Sequence, residues 1–198
     1  MTSNLSIESG EIALFYGNSR PASSTAPISP KMKQFLRLSP NAQTVVLLPT
    51  EQLNEVLTIS TEQIAPMPGM SPWIMGTYNW RGNILWLVDL GYLVGLKPLY
   101  QQPSASSYTV TVLQFDQRSQ QAPSSYGGVI CDSSQVIGLV VNRVGNIERC
   151  TLDSIQPISS VTDNRLTEFL QGYWLKSEQE ILAVLKPDSI LQALSQNS

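Results

Sequence analysis

The residues best suited to chemistry in this 198-residue chain stand in one short polar break, Asn79-Trp80-Arg81-Gly82-Asn83, between two apolar runs. That pattern predicts two strands joined by a tight turn, with Gly82 free to take the positive φ that such turns need. Arg81 then sits at the tip as a permanently charged planar fork, able to make directional bonds to carboxylates or carbonyls. Two readings stand open for it: a solvated arginine at a turn, or a docking contact. The run Ile84 to Val88 is apolar without alternation, which predicts a strand covered on both faces. The chemistry on offer is recognition.

Catalysis has little to work with. The chain contains no histidine. That removes the commonest general base, the Ser-His and Cys-His nucleophile pairs, and any phosphohistidine relay within the chain. Its two cysteines, Cys131 and Cys150, lack Cys-x-x-Cys spacing and read as structural thiols. No glycine-rich phosphate-binding run is present, and no pair of acidic residues has a spacing that demands acid–base work. We therefore expect no enzymatic activity, no metal and no cofactor. With a formal net charge of −3 and no basic block, nucleic acid is not an expected partner. No apolar stretch of about 18 residues predicts membrane insertion, and Met1 to Glu11 lacks the basic-then-apolar order of a signal peptide. The expected location is the cytoplasm.

The elements that must position the hairpin come next. Residues 1–32, with three prolines between Ser19 and Pro30, read as a flexible extension. Within it, Glu11 to Gly17 could add a strand or a small docking element. From residue 33 the chain repeats itself once, at an offset of 91 to 97. Val45 to Leu48 answers Val136 to Leu139, Glu55-Val56 answers Asn146-Ile147, and Ile64-Ala65-Pro66 answers Ile155-Gln156-Pro157. Trp73 to Gly76 answers Phe169 to Gly172, and Ile84 to Val88 answers Ile181 to Leu185. Each copy is a set of short strands broken by Pro, Gly and Asn, at the spacing of small barrels or sandwiches. Two units of this size are marginal alone and should share a core. Leu99 to Ser107 reads as the connection between copies, Gln117 to Gly128 as an inserted polar loop, and Asp188 to Ser195 as a closing helix behind Pro187.

The hairpin also resembles the signature of the CheW-like coupling proteins of chemotaxis systems. That family reads roughly Gly-x-x-Asn-hydrophobic-Arg-Gly, then an apolar strand ending in Asp-Leu. Here the matching residues are Gly76, Asn79, Trp80, Arg81, Gly82, Asp89 and Leu90. The run Gly138-Leu139-Val140-Val141-Asn142-Arg143-Val144 is similar to a second family stretch, with Asn142 where an Asp is usual. Leu53-Asn54-Glu55-Val56 is similar to a third. The resemblance runs from about Gln34 to Leu194.

It implies a mainly all-β fold of two SH3-like five-stranded barrels sharing a core, with a C-terminal helix. The domain would span 33–198, the first barrel about 33–98 and the second about 108–194. It further implies a non-enzymatic adaptor joining the cytoplasmic tip of a methyl-accepting chemoreceptor to the regulatory domain of a CheA-type histidine kinase. The alternative is an interaction scaffold of the same fold used outside chemosensing. By position, Leu53, Glu55, Arg81 and Ile147 match places of partner contact, with Gly76 and Gly82 as structural turn positions. Trp80 joins them as a candidate contact, because an aromatic beside Arg81 at a turn tip is costly to leave wet unless it binds something. Each keeps a plainer reading: core for Leu53 and Ile147, a ring folded back on its own barrel for Trp80, and a solvated charge or an internal partner of Arg81 for Glu55.

Overall fold

The computed structural model describes residues 32–101, 106–115, 136–158 and 165–196. The sequence readings for the extension up to residue 31, for loop 117–128 and for Cys131 lie outside the described residues. In chain order the strands are β1 (Met32–Ser39), β2 (Val46–Pro49), β3 (Leu53–Ser60), β4 (Ile74–Trp80) and β5 (Asn83–Asp89). A one-turn helix, α1 (Leu90–Leu93), follows. Then come β6 (Ser107–Gln114), β7 (Val136–Val141), β8 (Arg143–Thr151), β9 (Ile155–Gln156), β10 (Leu170–Ser177), β11 (Glu180–Leu185) and α2 (Pro187–Gln196).

The strands form two sheets, ordered β8-β1-β2-β11-β10-β9 and β3-β6-β7-β5-β4. These are two β-barrel-like units with a C-terminal helix, the fold class expected. The expected division at 33–98 and 108–194 does not hold. Each sheet takes strands from both halves of the chain: β1 and β2 join β8 to β11, while β6 and β7 join β3, β4 and β5. The exchange follows from two parallel pairings at the centre, β2 with β11 and β5 with β7. A parallel pair cannot be closed by a hairpin, so each copy contributes one partner to the other.

The internal repeat is kept to the residue. Val46 faces Ala183 and Leu47 faces Val184; in the other sheet Ile137 faces Trp86 and Gly138 faces Leu87. β9 pairs Gln156 with Tyr173, and its counterpart is a lone bridge between Ala65 and Thr77. Apolar runs that do not alternate in type do alternate in destination. On β2, Val46 and Leu48 face the core shared by both sheets, whereas Leu47 enters the interior of its own. On β7, Leu139 and Val141 enter the shared core and Val140 the interior of the other sheet. Ile190, Leu191 and Leu194 of α2 complete the shared core, at the spacing of one helix face.

Coverage of β5 on both faces holds from Leu85 onward but fails at Ile84, which is 71% exposed. Pairing with β7 begins only at Trp86, so the start of β5 rests on β4 alone.

Gly76 and Gly172 mark equivalent bulges, where β4 and β10 break register with β5 and β11. A Cβ on Gly76 would press into the Ala65 carbonyl, and one on Gly172 into the Gln156 carbonyl. Backbone crosses backbone at both places, so neither neighbour can yield as a side chain would. Gly76→Ala and Gly172→Ala are each expected to cost about 2 kcal/mol or more. Gly76→Ala should cost more, since Gly76 also holds φ +141. Chemical denaturation checks this; tolerance of both changes would mean that the two crossings are not tight.

Candidate functional site

The β4–β5 hairpin closes in two residues, with Arg81 at φ 52 and Gly82 at φ 83. Positive φ at both central positions is the type I′ geometry, whose twist suits adjacent strands. Arg81 is the one non-glycine residue with positive φ among the described residues. The Gly82 N–H donates to Asn79 Oδ1 at 3.0 Å, which locks the turn from inside.

Glu55 reaches this tip from β3, the far edge of the same sheet. Its Oε2 accepts from Arg81 Nη2 at 3.0 Å, and its Oε1 accepts from the Trp80 indole N–H at 2.5 Å. The Arg81 guanidinium lies 5.1 Å from the centre of the Trp80 ring, within cation–π range. These contacts draw β3 onto β4 and close the sheet. Arg81 nevertheless stays 65% exposed at its side chain, against 25% for Glu55. A pair this wet contributes only about 0.2–1 kcal/mol. Its value lies in orientation: both Glu55 oxygens are engaged, and the cation at the tip is held in place.

Of the expected site residues, the structure thus unites Glu55, Trp80 and Arg81. Trp80 is half-buried and packs against the interior of its own barrel. Leu53 is half-buried against the shared core, beyond a register break that separates it from Glu55. Ile147 is 52% exposed and sits on β8, in the other sheet. It is the repeat counterpart of the exposed Val56. Gly76 and Gly82 occupy the bulge and the turn. Asp89, the acidic end of the motif, is buried: its Oδ1 accepts from the Tyr92 N–H at 3.0 Å and its Oδ2 from the Leu99 N–H at 2.7 Å. Burial pushes its carboxyl above the ordinary value, against the lowering effect of those amides. Its work is to cap α1 and pin the chain leaving it.

Two open grooves were not foreseen. One, about 320 Å³, runs beside the hairpin and is of mixed character, lined by Gln63, Thr77, Asn79 and Asn83 as well as Tyr78 and Ile84. The other, about 370 Å³, is lined by Gln156, Tyr173, Leu175 and Ile181. They are repeat counterparts, and the Ile84–Ile181 equivalence was the signal that could have located them. Among the described residues no cluster of Cys, Asp or Glu is placed to hold a metal. No helix among them is long and apolar enough to cross a membrane.

The first sheet closes differently. Glu148 on β8 accepts from Lys176 Nζ at 2.7 Å, and Arg37 bridges Glu148 at 3.5 Å and Glu180 at 2.7 Å. Asn146 stands at the place equivalent to Glu55; counted from Gly76 and Gly172, Lys176 answers Trp80, and Glu178 takes the turn position of Arg81.

The two interlocked barrel-like units thus carry hairpin tips of opposite charge, Arg81 at one and Glu178 at the other. A family model described as the CheW-like domain matches residues 34–195. The chain belongs to the CheW-like domain family. Among solved structures it is similar to the scaffolding protein TtCheW from Thermoanaerobacter tengcongensis, at 21% identity and a TM-score of 0.59, over 79% of this chain and 90% of that one. That likeness speaks for the fold. No curated protein matches the chain.

The Glu148 network has a consequence for acid stability. The Lys176 hydrogen bond, outweighing the opposing effect of burial and aided by the charge of Arg37, holds the Glu148 carboxyl below its ordinary value of 4.5. A lowered carboxyl stabilises the fold above the unfolded value and loses that contribution as pH falls through the folded one. Glu148→Gln should therefore narrow the gap between melting temperatures at about pH 7 and about pH 3. An unchanged gap would mean that the network carries no net linkage.

Proposed function

We propose that this chain is a non-enzymatic adaptor of the cytoplasm. In this reading it joins the helical-hairpin tip of a methyl-accepting chemoreceptor to the regulatory domain of a CheA-type histidine kinase, in a taxis or pilus-motility pathway. The observation that carries the reading is the match of the CheW-like domain across residues 34–195, with its signature arginine held outward at a rigid turn. The name of the similar structure, a scaffolding protein, points the same way.

The geometry suits the task. A receptor tip presents an amphipathic helical surface, which is recognised by apolar residues flanked by a few oriented polar groups. Leu53, Val56 and Ile147 supply apolar character, and Arg81 supplies the directional group. Because Glu55 already takes one arm of the Arg81 fork, the arms left for a partner suit an acceptor, either a carboxylate or a main-chain carbonyl. The two grooves beside the hairpins offer apolar surface for the kinase domain.

Affinity capture from lysate of the source cell with tagged full-length protein, read by mass spectrometry, tests this. Wild type should recover a CheA-type kinase and a methyl-accepting receptor. Arg81→Glu should lose one of them, because attraction turns to repulsion worth roughly 2 kcal/mol or more. Its melting temperature should change little, since the pair it breaks is exposed. Recovery of neither, from cells shown to express both, would overturn the reading and leave a CheW-like fold in another use.

A further inference from the structure

The repeat supplies an internal control for the hairpin tip. A second hairpin is built by β10 and β11, with a register break between Leu175 and Ser177 that β4 and β5 lack; its turn carries Glu178, and Asn146 stands in place of Glu55. That copy closes its sheet through Glu148 and Lys176, without an indole or an arginine at the turn. The Glu55–Trp80–Arg81 arrangement is therefore not something the fold requires. Counted from the equivalent glycines Gly76 and Gly172, the place of Trp80 is taken by Lys176, which reaches Glu148 instead.

We infer that Trp80 is a positioning residue for Arg81 and not itself a contact to the partner. Its ring packs inward against the barrel interior, which takes most of its apolar face away from any visitor. Its N–H binds Glu55 Oε1, which stops the carboxylate from rotating and leaves Oε2 aimed at Arg81 Nη2. Its ring edge toward the tip stands under the guanidinium. One side chain thus constrains Arg81 twice, once through the carboxylate and once through the π face. A long arginine at an exposed turn otherwise loses considerable rotamer freedom on binding, and prior ordering removes part of that cost. Leucine or valine at this position could fill the same space but could supply neither constraint.

The side-chain part of this inference stands on the geometry alone; the binding part rests on the adaptor reading above. The test reads both. Trp80→Phe loses the N–H and keeps an aromatic face, though a smaller one that holds a cation less strongly, and Glu55→Gln keeps the shape and loses the charge. In the free protein, the Arg81 Nε–H resonance, assigned by its loss in Arg81→Lys, should belong to an ordered group in wild type. In Trp80→Phe and in Glu55→Gln its order parameter should fall into the flexible range, below about 0.6, with melting temperatures nearly unchanged.

The binding arm uses a soluble cytoplasmic fragment of a methyl-accepting receptor from the same cell. Trp80→Phe should weaken its binding roughly fivefold in the wild-type background and not at all in Arg81→Ala. An Arg81 side chain as ordered in Trp80→Phe as in wild type overturns the inference. So does an equal loss of affinity in the Arg81→Ala background, which would make Trp80 a direct contact. Failure of wild type to bind the fragment counts against the adaptor reading, while the resonance of Arg81 still decides the role of Trp80.

Discussion

The constraint on which the rest depends is the core shared by the two sheets. Neither barrel-like unit buries enough surface to be secure alone. The chain answers by lending the first two strands of each copy to the other sheet, so β2 lies beside β11 and β7 beside β5. Once those parallel pairs form at the centre, every strand in them must be apolar on both faces, and the sequence complies: Val46, Leu48, Leu139, Val141 and Leu185 look into the shared core. Their neighbours Leu47, Val140 and Val184 look into separate interiors. α2 then covers the shared core with Ile190, Leu191 and Leu194. A fold interlocked this way cannot lose one barrel and keep the other, and a rigid base for the hairpin tip is the result.

An open sheet has two edges, and each edge is a liability unless it is covered or joined. Both sheets here join theirs through an ion pair, but the two joins differ in their surroundings. Glu148 is nearly buried beside Lys176 and Arg37, and the Lys176 hydrogen bond holds its carboxyl below the ordinary value. Glu55 meets Arg81 in the open. The first is a closure that serves the barrel. The second closes the barrel too, yet it spends a charged fork at an exposed turn, where a lysine–glutamate pair a turn deeper would have sufficed, as the other sheet demonstrates.

Much of this was legible in the residues. The two-residue hairpin at Arg81-Gly82, the closing helix after Pro187 and the internal repeat could be read because turn chemistry, helical spacing and apolar periodicity are local signals. The exchange of strands between copies could not be read. Val45 to Leu48 looks equally suited to either sheet, since a run apolar on both faces carries no sign of which interior lies on which side. The open divisions at 33–98 and 108–194 failed for that reason. The meeting of Glu55 with Trp80 and Arg81 was visible only as one option among several, because it joins positions 25 and 26 residues apart across a closed sheet. The exposure of Ile84 was hidden by its apolar neighbours, and only the lengths of the flanking strands account for it.

Duplication followed by divergence gives the chain two surfaces of the same shape and different character. The grooves beside Ile84 and Ile181 are both open, but Asn79 and Asn83 line the first where Leu175 lines the second. The tips beside them differ too: one carries a cation fixed by Trp80 and Glu55, the other a glutamate, Glu178. A partner that depends on an oriented positive charge can therefore use one end of the molecule only. Discrimination of this kind follows from a difference between two affinities rather than from either one. The shared core holds these two unlike ends in a fixed relative orientation.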